Sequence, residues 1–158
     1  MADARFEDAD EGPLWLGAAD AEDLKVLASL VQDAVFPITD MTFSRSRREF
    51  AILLNRFRWE DRAAAEAAGR PYERVRAMLL VRDVQAVRSQ GIDRSDRDTI
   101  LSLLDVAFEA GVDGTGRLIL TLAGDGAIAL EVETLDVALR DVTRPYTAPS
   151  RKMPDHGA

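Results

Sequence analysis

From about residue 40 onward the apolar positions recur every second residue. Only one earlier stretch recurs at helical spacing. There Leu24, Leu27, Leu30, Val31 and Ala34 fall on one face, which predicts an amphipathic helix over 21–33. Asp20 suits its N-cap, and Glu22 and Asp23 in the first turn match the helix dipole. A strand through 24–29 is the competing reading, and Pro37 ends the element in either case. Before the helix, residues 13–16 read as a short edge strand that tolerates its proline.

The period-two region divides into strands. Residues 41–43 and 50–57 are predicted to pair across an arginine-rich hairpin loop at 44–49. Residues 61–72 are alanine-rich and read as a surface loop with one helical turn. Val75, Ala77, Leu79 and Val81 then alternate with arginines, and the apolar phase shifts at Val84 and Ala86, which predicts a bulge near Asp83. In the second half, residues 101–109 form a strand with Leu104, Val106 and Phe108 on one face, followed by a turn at 111–116. Gly124-Asp125-Gly126 marks a hairpin between the strands of Leu118, Leu120 and Leu122 and of Ile128, Leu130 and Val132. The phase shifts again at Leu135 and Val137, by the same three-residue step as at Val84. Two matching slips predict an α+β fold, mostly antiparallel β, made of two degenerate β-meander repeats with one covering helix near the N-terminus.

The chain has 158 residues and a net charge of −8, unevenly placed. Residues 1–23 hold eight acids against Arg5, a net of −7, and residues 45–76 hold nine arginines against five acids, a net of +4. The expected layout is a disordered acidic leader at 1–12, one globular domain at 13–145 and a loose tail at 146–158. The domain would consist of halves at about 13–92 and 93–145. No apolar run is long enough to span a membrane, no secretory signal pattern opens the chain, and cysteine is absent. A cytoplasmic location follows as an expectation.

Candidate chemistry concentrates at two element ends: Gln32 and Asp33 close the helix, and Asn55, Arg56 and Arg58 close the central strand. On the strand reading Arg56 and Arg58 continue the apolar stripe of Phe50, Ile52 and Leu54, so their guanidinium groups need partners near the core. One reading makes these five residues a polar cleft that grips an anion, a carboxylate or a peptide backbone. The plainer one pairs Arg56 with Asp33 or Glu60 inside the fold, leaves Asn55 and Gln32 to backbone groups, and makes Phe57 and Trp59 packing residues.

Other chemistry finds little support. Gly114-Thr115-Gly116 and Gly124-Asp125-Gly126 lack the spacing of a dinucleotide or phosphate loop. Residues 93–98 lack the glycine and glutamate of an EF-hand, so Asp96 and Asp98 read as turn and capping residues. The single histidine, His156, stands in the polar tail. The sequence therefore calls for no cofactor and no metal.

The combination of Asp23-Leu24, Gln32-Asp33-Ala34, the run 55–60 (Asn55, Arg56, Phe57, Arg58, Trp59, Glu60) and the run 123–128 resembles an alphaproteobacterial family of unknown function, number 2948 in its series. The resemblance spans about residues 14–142 and implies a bacterial cytoplasmic protein. It assigns no activity and no catalytic residue.

The functional expectation is a non-enzymatic binding or protein-interaction module with an arginine-bearing surface. Its partner would be a protein or a small anionic ligand, and self-association through a sheet edge is open to it. The alternative is a small-substrate enzyme working with Asp and Arg alone. RNA or another polyanion on residues 45–76 ranks third, since bulk acidity opposes phosphate.

Overall fold

The computed structural model describes residues 13–147. The leader at 1–12 and all of the tail beyond residue 147 lie outside the described residues. The chain runs β1 (Trp15–Ala18), α1 (Ala21–Val31), β2 (Ala34–Pro37), β3 (Met41–Ser44), β4 (Glu49–Phe57) and α2 (Arg62–Ala68). It continues with β5 (Glu73–Val81), β6 (Val84–Gln90), β7 (Ile100–Ala110), β8 (Gly116–Leu122), β9 (Ala127–Val132), β10 (Val137–Asp141) and β11 (Tyr146–Thr147).

The strands join antiparallel in the order β1-β10-β5-β4-β2-β7-β8-β9-β6, with β3 also along β4 and β11 along β5. The fold is α+β and mainly β, as predicted. Inward-facing residues of both ends of this sheet meet in one core that includes Phe36, Ile52, Leu54, Leu79, Leu120 and Leu130.

The helix begins where the sequence places it. Asp20 accepts a hydrogen bond from the Asp23 N–H at 2.8 Å, and Leu24, Leu27, Ala28 and Val31 are buried against the sheet. It ends at Val31, so the strand alternative for 24–29 is not realised. Asp33 turns the chain with φ of 62° into β2, a short strand the sequence reading had merged into the region before Pro37.

The two phase slips are changes of partner. β5 lies between β4 and β10, yet its continuation β6 pairs with β9. β9 lies between β8 and β6, yet its continuation β10 pairs with β5. The two crossings hold each other. The Arg82 N–H donates to the Asp136 carbonyl at 2.9 Å, the Glu133 N–H to the Asp83 carbonyl at 3.0 Å, and the Thr134 hydroxyl to Asp83 Oδ2 at 2.8 Å. Asp83 adopts φ of 57° to make the first crossing. The predicted halves are thus interlocked through β5–β10 and β6–β9.

Several local expectations need correction. A 3-10 turn at Trp59–Asp61 leads into residues 61–72, which hold the two-turn helix α2 and stop it at Gly69 in the left-handed region. On β7 a bulge between Leu103 and Asp105 resets the alternation, so Leu103 and Val106 face the core while Leu104 is exposed. The tail begins later than residue 146, because Tyr146 and Thr147 pair with Arg74 and Glu73 of β5.

Candidate functional site

Arg56 is where the inward stripe of β4 ends, and it is completely buried. All five of its N–H donors are engaged. Nε and one terminal nitrogen fork onto Asp141 at 3.0 Å each, and both terminal nitrogens fork onto Glu60 at 2.9 and 2.7 Å. A longer contact of 3.5 Å reaches the Phe57 carbonyl. Burial by itself would lower the guanidinium pKa, but the bonds and charges of Glu60 and Asp141 outweigh it and hold Arg56 above its ordinary value. Burial would likewise raise Glu60, and Arg56 reverses this and holds that carboxylate low.

The network continues. Arg58 donates to Glu73 at 2.5 Å and lies 3.7 Å from Asp61 and 3.8 Å from Glu60. Arg70 forks onto Asp61 at 2.6 Å for each bond, and this bonding lowers the Asp61 pKa. Three arginines and four acids therefore knit β4, the 59–61 turn, β5 and β10 together. Asp141 also accepts from the Leu14 N–H at 3.0 Å, which ties the start of the chain to the same knot.

Of the sequence alternatives for Arg56, the pair with Glu60 is present and the pair with Asp33 is not. The five predicted residues also do not gather. Arg56 and Arg58 point inward, whereas Asn55 occupies the other face of β4. There its side-chain oxygen accepts from Arg74 at 3.1 Å and its amide donates to the Tyr146 hydroxyl. Burial lowers the Arg74 pKa, and the charges of Tyr146 and Asp33 offset this in part. Gln32 accepts the Trp59 indole N–H through its backbone carbonyl at 3.0 Å. Phe57 is buried and meets Trp59 and Tyr72 edge-on at 4.6 and 5.4 Å between ring centres. The aromatic pair packs, as the plainer reading had it.

The arginine-rich segment is similarly absorbed. Arg48, Arg70 and Arg76 pair with Glu133, Asp61 and Asp40, and Arg56 and Arg58 are internal. Arg45 has no ion pair or side-chain hydrogen bond among the described residues. It stands at a cleft of about 420 Å³ between β3 and β6, together with Arg94, which is equally without a partner among the described residues. Residues 41–43 and 85–87 form the two walls, and the buried Phe50 and Ile128 lie at the base. Among the described residues no acidic side chain lines this cleft. Sequence reasoning missed it, because its walls lie far apart in the chain and meet only through the crossing after β5.

A second groove of about 470 Å³ lies between α1 and β7, and Gln32 lines it. Its charged residues, Lys25 and Asp105, are of opposite sign, so it shows no preference for an anion. Among the described residues no group of His, Asp and Glu is arranged to hold a metal ion, and no helix is long and apolar enough to cross a membrane.

Residues 14–156 match the family described as protein of unknown function (DUF2948), and the chain belongs to that family. No curated protein and no solved structure matches it.

Proposed function

We propose that this member of the DUF2948 family is a non-enzymatic binding module, and that the β3–β6 cleft receives an anionic, partly apolar ligand. One observation carries the reading: in a chain of net charge −8, the charged side chains that line this cleft among the described residues are two arginines, and neither has a partner there. The guanidinium groups supply charge-assisted donors for a carboxylate, and the partly buried Met41, Phe43 and Val87 supply apolar surface beside them.

Calorimetric titration with decanoate, a carboxylate with an apolar chain, tests this. The wild type should bind it, and the R45Q/R94Q variant should bind at least about tenfold more weakly, the equivalent of about 1.4 kcal/mol. Equal binding by the two proteins, or none by the wild type, rejects the cleft as an anion site.

A further inference from the structure

We infer that the occupant of the β3–β6 cleft is an extended peptide segment with alternating acidic and apolar residues, seated as an added strand. This deepens the anion-site reading and rests on it.

Both walls are sheet edges among the described residues, where β3 pairs with β4 alone and β6 with β9 alone. Each edge leaves a row of backbone N–H and C=O groups turned away from its partner strand. A small anion can satisfy two or three such groups, whereas an extended backbone can satisfy a row.

The shape is also that of a track. A second hollow of about 290 Å³ continues the cleft and shares Phe43, Arg45 and Gln85 with it. It reaches the ion pair of Arg48 and Glu133, 2.6 Å apart. Beyond, the Val84 N–H donates to the Arg48 carbonyl at 2.9 Å and closes that end. β6 runs for seven residues, and an extended chain rises about 3.3 Å per residue, so a segment of similar length would follow it.

The side chains then set the pattern. Alternate residues of an added strand point to opposite faces. One set would rest on Met41, Phe43 and Val87, and the other would bring carboxylates to Arg45 and Arg94. β3 has only four residues, and β6 carries a bulge between Val84 and Ala86 as well as Arg88. Such features discourage pairing with a whole second sheet, so the occupant is a segment and not another copy's edge.

The test uses the full chain and a display library of random nine-residue peptides. Enriched peptides should alternate acidic and apolar residues. A synthetic copy of one should lose at least tenfold in affinity when alternate backbone nitrogens are methylated, and by a similar factor against R45E/R94E. Circular dichroism of R45E/R94E should match the wild type, and R45Q/R94Q repeats the comparison if it does not. If decanoate binds but no peptide is enriched, or if N-methylation changes nothing, the added strand is rejected and the anion site stands. If neither decanoate nor peptide binds, both fall.

Discussion

Replacing Arg56 with methionine keeps most of the stem volume and removes the one charge that neutralises two buried carboxylates. The side chains of Glu60 and Asp141 are only 5% and 4% exposed, and Arg56 bonds both. Removing one partner of a buried ion pair costs about 3–5 kcal/mol. Two acids are stranded here, although Glu60 keeps Arg58 at 3.8 Å, so a loss near the upper end, about 5 kcal/mol, is expected at pH 7.5. That is a large share of the roughly 5–15 kcal/mol that holds an ordinary domain together.

The pH dependence sharpens the test. In the wild type Glu60 titrates below its unfolded value. Its contribution is therefore present above the unfolded pKa and fades as pH falls through the folded one. In R56M the largest opposition to burial is gone and Glu60 keeps only the weaker pull of Arg58, so its folded pKa rises relative to the wild type and the variant's native state takes up protons first. The gap between the two proteins should then narrow from pH 7.5 to pH 5, by up to about 1.4 kcal/mol per pH unit for each acid affected. Urea unfolding at both pH values reads this. A loss below about 1 kcal/mol, or a gap independent of pH, would refute the buried-network account.

Further predictions follow from single contacts. Replacing Arg56, Glu60 and Asp141 together by Met, Met and Leu should recover at least half of the R56M loss in urea unfolding, because no charge is left stranded. Gly116→Ala would place a Cβ 2.4 Å from Phe108 Cζ and 2.6 Å from the Glu109 carbonyl, so a loss of roughly 1–3 kcal/mol is expected by thermal unfolding. Arg70→Met should cost only about 1 kcal/mol in the same assay, because Arg70 is 40% exposed and solvent screens its pair with Asp61. R45E/R94E should change stability by no more than about 0.5 kcal/mol, since neither arginine has an ion-pair partner among the described residues.

The strands and the helix were legible because alternation and helical spacing depend on neighbours in sequence. Asp20, Leu24 and Leu27 predicted α1, and the slip at Val84 marked a real irregularity. The slip could not say which strand β6 would join, because pairing between residues 84–90 and 127–132 is set by tertiary packing. The same limit hid the second partner of Arg56, Asp141, whereas Glu60, four residues on, was legible. Asp141 follows Val137 and Leu139 on an inward alternation, just as Arg56 follows Ile52 and Leu54. A charged residue in the buried phase of each strand was the available signal for that pair. Leu104 misled for a local reason, since a one-residue bulge on β7 exchanges the faces. The cleft itself had no sequence signal, because Arg45 and Arg94 gain meaning only when β3 and β6 stand opposite each other.

The most direct measurement is a two-dimensional amide NMR titration of the wild type with decanoate. The account predicts that the largest shifts fall at residues 41–43, 45, 85–89 and 94, and that they collapse in R45Q/R94Q. Shifts centred instead on Asn55, Arg74 and Tyr146, or on the groove beside Gln32, would contradict it.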